Sequence, residues 1–339
     1  MGYFAPMATV ESVRGPIDAA ALGVTLMHEH VFAVSTEHIQ NYGNGSWWDE
    51  EFRITDAITR LRSVAAQGVR TFVDPTVWGL GRYLPRIQRI NAEVPELNIV
   101  VATGYYDYDG APTPFFLRAP GGLLDDGGPD PLALEFVRDL TVGIADTGVK
   151  AAFLKCAVEH PPGADGRVAP GVERTAKAVA YAHRETGAPI TVHTHPAAHT
   201  GRWALDLFRS EGVDLTKVVL GHSGDSGDLD HLMELADTGA ILGMDRFGVD
   251  ATRDTPARVE TVAALAARGY ADRMVLSQDA ACFLDWFGPD YDTLRPALLP
   301  NWHYEHVLAD VVPALRDAGV SAKDVDQMLV TNPERYFTR

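Results

Sequence analysis

Residues 24–30 read Val-Thr-Leu-Met-His-Glu-His, a short apolar run that closes on two histidines one residue apart. As a strand it places His28 and His30 on one face and Glu29 on the other, because successive strand side chains alternate. Two imidazoles on one face form a chelating pair, although an isolated His-x-His is more often structural and takes its meaning from its surroundings. Working outward, comparable β-rich runs recur at Arg70–Pro75, Asn98–Gly104, Lys150–Lys155, Pro189–His193, Lys217–His222, Ala240–Met244 and Arg273–Ser277, which with the first makes eight. Between runs, stretches such as ITDAITRLRSVAAQG, ERTAKAVAYAHRETG and PARVETVAALAARG space their apolar residues three and four apart and end in glycine, the mark of covering helices. The alternation predicts an α/β protein, a (β/α)8 TIM barrel of parallel strands. A length of 339 residues suits one such barrel, so 1–339 is expected to form a single domain.

Two irregular tracts interrupt the rhythm. Tyr105–Asp130 is rich in Gly, Pro and Asp, and Cys282–Asn301 carries three prolines and several aromatics. They follow the third and eighth strands, where barrel loops build the active face, so they read as substrate-site features rather than linkers.

Composition narrows the function. An excess of 46 acidic over 29 basic residues, a formal charge of −17, repels a nucleic-acid backbone over most of the surface and favours neutral or cationic ligands. Two cysteines, Cys156 and Cys282, are too few for a disulfide scaffold. No run approaches the roughly 20 apolar residues of a membrane span, and the first residues lack a secretory pattern; cytoplasmic residence, without membrane or nucleic-acid partners, is the expectation.

The strand ends carry the chemistry. Lys155 follows the apolar run AAFL, where an unpaired ammonium is costly to bury. Burial and nearby cations lower a lysine pKa, and the neutral amine can take up carbon dioxide as a carbamate, a bridging carboxylate; the plain alternative is a lysine reaching the barrel mouth. His193 ends ITVH and His222 ends VVLGH, at positions where a barrel collects catalytic groups. His195 rivals His193, but Pro196 marks the strand as finishing, which favours His193. Asp279, in MVLSQD, reaches the same rim as a potential ligand and base. Six donors thus converge on one face; a closed structural zinc site normally takes four and favours cysteine, whereas nitrogen and oxygen ligands around two ions suit hydrolysis.

The set LMHEH, FLKC, ITVHTH, LGHSGD, GMDRFG and SQDAACFLDW, in this order and spanning nearly the whole chain, resembles the phosphotriesterase family of the amidohydrolase superfamily, particularly its phosphotriesterase-like lactonase branch. The resemblance implies that His28, His30 and Asp279 hold the more buried of two divalent metal ions and His193 and His222 the more exposed, with carbamylated Lys155 bridging them. Zinc is the first expectation; cobalt, manganese and iron suit the same donors. A bridging hydroxide is then the nucleophile, Asp279 orients it and carries its proton, and the exposed ion polarises the substrate oxygen.

Arg246, in GMDRFG, resembles the lactonase branch where strict phosphotriesterases have histidine. Tyr106, in ATGYY, matches a tyrosine leaning over the metal pair, and Trp286, in CFLDW, an aromatic of the substrate channel; loop packing is the plainer reading of both. Asp225 is placed behind the ligands, in a proton relay or orienting a neighbour. Gln278 departs from the histidine or asparagine common in relatives, and alternation points it away from Asp279.

The resemblance predicts a hydrolase that opens lactones, with N-acyl homoserine lactones as the biological class and quorum quenching as the consequence. The acyl tail is expected along Phe115, Phe116, Phe283, Trp286, Phe287 and Trp302. Organophosphate triester hydrolysis is the alternative activity, a catalytically silent metal-binding scaffold a third reading, and a homodimer the assembly the resemblance favours.

Overall fold

Eight parallel strands stand side by side in chain order: β1 Thr25–Leu26, β2 Thr71–Asp74, β3 Asn98–Gly104, β4 Phe153–Val158, β5 Ile190–Thr194, β6 Val218–Gly221, β7 Ile241–Met244 and β8 Met274–Leu276. The structure, a computed structural model, describes residues 8–43, 47–106, 111–163 and 165–338. Residues 107–110 of the expected third loop, and residues 1–7 of the expected domain, lie outside the described residues.

Strand alternation sorts the core into two bodies. Along β4, Leu154, Cys156 and Val158 join the outer layer under the helices, while Phe153 and Ala157 join the barrel interior with Val73, Val100, Val219, Ile241 and Val275. Lys155 shares the parity of Phe153 and Ala157, which carries its side chain inward, and it is buried. The strand runs on to Val158, so Lys155 lies in mid-strand rather than at the end that the apolar run suggests.

The covering helices form where periodicity and caps agree. Glu50–Ala66 buries Ile54, Ala57, Leu61 and Val64 along one face, and the Asp49 carboxylate accepts from the Phe52 N–H at 3.0 Å to start it. Pro170–Thr186 ends at Gly187, whose φ of 72° suits a residue without a Cβ. Thr255–Ala267 begins at Asp254, which accepts from Ala257 N–H at 2.9 Å. An N-terminal hairpin, Thr9–Ser12 with Gly15–Asp18, lies across the end of the barrel where strands begin; Val10 and Leu22 fill that end with Tyr336. Among the described residues no helix is long and apolar enough to cross a membrane.

The ring closes between β8 and β1, and there it departs from a regular ladder. β1 stops at Leu26 and resumes as His30–Ala33; β8 stops at Leu276 and resumes as Ala281–Leu284, and these outer segments pair in parallel. Across the gap the Asp279 N–H donates to His28 O at 3.0 Å and His30 N–H to Ala280 O at 2.8 Å. The run 24–30 is therefore not one continuous strand: Met27 packs into the barrel interior beside His28, so simple alternation does not hold at the histidines.

Candidate metal centre

The break in the seam turns three donors to one point. Nε2 of His28 and Nε2 of His30 each lie 3.4 Å from Oδ1 of Asp279, which adopts a left-handed φ of 55°. Lys155 Nζ lies 3.3 Å from His28 Nε2. On the opposite side, His193 Nδ1 and His222 Nε2 are 2.9 Å apart, with His222 also left-handed at φ 68°. His28, His30, Lys155, His193 and His222 are all buried, and Asp279 is partly so. His195 is exposed, its Nδ1 accepting from Ala198 N–H at 3.2 Å, so it does not join the cluster.

Behind the ligand-facing nitrogens stands a carboxylate that sequence reading did not select. Asp245, one residue past β7, accepts from His28 Nδ1 through Oδ2 at 2.9 Å and from His222 Nδ1 through Oδ1 at 2.9 Å. It also takes the His222 N–H at 2.7 Å. Both imidazoles are thereby fixed with Nδ1 protonated and Nε2 free to coordinate. His28, His222 and Asp245 also lie close enough to surround an ion, but with Asp245 engaged on the Nδ1 side their geometry is that of an orienting clamp. His28, His30 and Asp279, by contrast, could hold a metal ion directly. His30 Nδ1 is 2.7 Å from the Thr76 hydroxyl, which serves it as Asp245 serves the others.

The protonation states suit cation ligation. Burial drives His28 down to about 3, helped by Lys155 and opposed by Asp279 and Asp245. Burial, then His222 and Arg246, holds His193 well below the ordinary histidine value. Burial works against the charge of Asp279, yet His28, His222, the His30 hydrogen bond and Arg246 hold it well below the usual carboxylate range. Burial lowers Lys155 to about 8 against the pull of Asp279 and Asp245, which leaves a usable fraction of neutral amine. The neutral imidazoles of His28 and His193, an ionised carboxylate and a reactive amine around one space, with His30 and His222 beside them, are a donor set that fits divalent ions.

Arg246 and Tyr106 frame the opening, each held by acids. Arg246 Nε lies 3.1 Å from Asp279 Oδ2 while Nη1 lies 3.0 Å from Asp225 Oδ2. Asp225 is held in turn by the buried Arg258 guanidinium. The Tyr106 hydroxyl donates to Glu159 at 3.0 Å and lies 3.2 Å from His193 Nδ1. Glu159, four residues beyond Lys155, was a second group missed in the sequence, although AVEH continues directly from FLKC. The Gln278 amide donates to Tyr304 O at 2.6 Å, away from the cluster.

A cavity of about 250 Å³ opens over the cluster, walled by Leu80, Val249, Leu284, Trp286, Phe287, Leu299 and Trp302. Trp286, Phe287 and Trp302 of the expected tail channel line it; Phe283, Phe115 and Phe116 do not. Phe283 has the opposite strand parity to Leu284 and is buried against Trp48, Tyr291 and the Arg53 guanidinium. Phe115 packs edge-on to Trp78 and Phe116 faces solvent.

Known proteins resemble this chain over nearly its whole length. The Phosphotriesterase family profile matches residues 8–337. A "Phosphotriesterase homology protein" of Mycobacterium tuberculosis is 51% identical, covering 98% of both chains. An "Aryldialkylphosphatase" of Saccharolobus solfataricus is 32% identical over 96% of this chain and 98% of its own. The solved structure of the phosphotriesterase from Mycobacterium tuberculosis superposes with a TM-score of 0.92 at 51% identity, again covering 98% of each chain. A barrel rim with this histidine and aspartate cluster, matched from end to end, places the chain in the phosphotriesterase family of binuclear metal-dependent hydrolases.

Proposed function

We propose that this protein is a lactonase whose biological substrates are N-acyl homoserine lactones, working as a cytoplasmic homodimer. The observation that carries the reading is Arg246, lodged between Asp279 and Asp225. A lactone's leaving oxygen is an aliphatic alkoxide that needs a proton as the ring bond breaks. Asp279 takes a proton from the attacking water and returns it to that oxygen, so lactone and water give one hydroxy acid. Arg246, kept cationic by Asp279 and Asp225 despite its burial, holds Oδ2 of Asp279 in place for both transfers. Tyr106 borders the acyl group, and Trp286, Phe287 and Trp302 take the tail.

His28, His30 and Asp279 would hold one ion and His193 and His222 another, with Lys155 between them as a carbamate formed when its amine adds to carbon dioxide and loses a proton. Bound there, two divalent ions, zinc foremost, lower the pKa of water and polarise the acyl oxygen.

The second reading, phosphotriester hydrolysis, is favoured by the likeness to the Saccharolobus solfataricus aryldialkylphosphatase. Specificity constants for short- and long-tailed lactones and for an aryl dialkyl phosphate, on metal-loaded and chelated protein, decide between the two. The lactonase reading expects metal-dependent turnover that is fastest on lactones. Higher efficiency on the triester, or no lactone turnover at any tail length, overturns it.

A further inference from the structure

Glu29 sits in the break of the β1–β8 seam, fully buried, and the chemistry above makes no use of it. Its Oε1 accepts from the Ser277 hydroxyl and from the Gln278 N–H, each at 2.7 Å, and its Oε2 accepts from the Ala280 N–H at 2.9 Å. The two amides flank Asp279, whose left-handed backbone is one that only a well-determined setting maintains in a non-glycine residue. In an unbroken parallel pair such N–H groups would donate to carbonyls of the neighbouring strand. Here β1 is interrupted, and a side chain stands in for the ladder. Ser277 Oγ also accepts from the His28 N–H at 2.9 Å, so the same carboxylate ends a chain of bonds that starts on the first histidine.

We propose that Glu29 is the positioning residue of the buried ion's site, holding the peptide planes on either side of Asp279 so that Oδ1 faces His28 and His30. Burial pushes the Glu29 carboxyl pKa up while the three hydrogen bonds pull it down, and because all three neighbours donate, its two oxygens supply an acceptor for each. A primary amide of the same shape sets its own N–H against one of the backbone N–H groups.

The inference rests on reading His28, His30 and Asp279 as ligands, and the test separates the two. Wild type and Glu29→Gln are loaded with zinc alone, then compared for ions per chain, zinc affinity by competition with a chelator, far-ultraviolet circular dichroism, and kcat against KM. The wild type is expected to hold two ions. E29Q is expected to keep its helical signal and one ion, to bind the other about tenfold more weakly or worse, and to lose kcat rather than gain KM. A merely structural role predicts a lower melting temperature with both affinities unchanged, and that result overturns the proposal. If E29Q does not fold, Ser277→Ala decides: a several-fold weakening of one ion supports the proposal, and wild-type affinity for both rejects it. A wild type that binds no metal removes the ligand reading itself.

Discussion

Asp245 presents Oδ2 to Nδ1 of His28 at 2.9 Å, and through that bond decides which nitrogen of the imidazole faces the centre of the barrel rim. Burial would raise the Asp245 pKa, but His222 and His28 hold it far below the usual carboxylate range, so it stays ionised and accepts only. Asp245→Asn replaces an acceptor by a group that also donates, and allows the wrong tautomer of either histidine. The expected result is a loss of metal affinity of about 10–100-fold at neutral pH with the fold retained. Chelator competition on the purified variant measures it; unchanged affinity would show that the clamp is dispensable.

If Lys155 is carbamylated as proposed, carbon dioxide is a reactant in assembling the centre. Only the neutral amine reacts, and with a pKa lowered to about 8 its fraction grows about tenfold per unit as pH rises from 6 toward 7.5, then levels off above 8. Reactivation of metal-free protein by zinc, at fixed dissolved carbon dioxide, should accelerate with that profile and stall in gas-free buffer. A rate indifferent to carbon dioxide at every pH argues against the carbamate. Lys155→Ala should bind ions weakly and turn over no substrate.

The metal-free protein should be weakened by acid. His28 has a folded pKa of about 3 against about 6.5 when unfolded, so below about 6.5 the unfolded chain binds the extra proton and folding stability falls with pH. Asp279, depressed in the folded state, adds a loss in the same direction as pH drops through the carboxylate range. Chelated protein melted between pH 7.5 and 5 should lose stability steadily. His28→Asn should flatten the curve, and an equally steep curve in that variant would assign the effect elsewhere.

Arg246→His removes the bridge to Asp279 and Asp225. Lactone kcat/KM should fall about 10–100-fold, while a triester with a good aryl leaving group, which departs without a proton, should lose much less. The ratio of the two specificity constants reads the outcome, and an equal loss on both substrates would deny Arg246 a part in discrimination.

Trp286 and Trp302 should behave differently although both wall the cavity. Trp286 is 71% exposed, so Trp286→Ala should raise KM for long-tailed lactones several-fold and leave short-tailed ones near wild type. The buried Trp302 indole N–H donates to the carbonyls of Gln278 and Asp279 at 3.0 Å each. Trp302→Phe should therefore cost about 1 kcal/mol of stability and lower kcat at every tail length. Steady-state kinetics across tail lengths separates the two.

The barrel was legible because its rule is local. Period-two apolar runs, helical spacing and glycine stops all fall within single elements, and ERTAKAVAYAHRETG lies inside the observed Pro170–Thr186 with Gly187 at its stop. The histidines, Lys155 and Asp279 stood out because charged or ligating groups after apolar runs are chemically conspicuous. Glu29, Asp245 and Glu159 did not, since an isolated acid is the commonest surface residue and only three-dimensional pairing shows what each one grips. Phe283 was misplaced for a related reason: the strand that resumes after the seam sets its facing, and that second strand segment is not visible as a separate run. The break at Met27 likewise follows from contacts with residues near position 278, beyond the reach of periodicity.

The Glu29–Ala280 bond spans 251 positions, and His28, His30 and Asp279 all lie beside that junction. A nascent chain thus carries the first two histidines out of the ribosome long before Asp279 exists to complete their set. Contacts of such sequence separation form slowly, so the junction is expected to close late in folding. An ion bound there, as proposed, would act as a latch between the first-made and last-made strands of the ring.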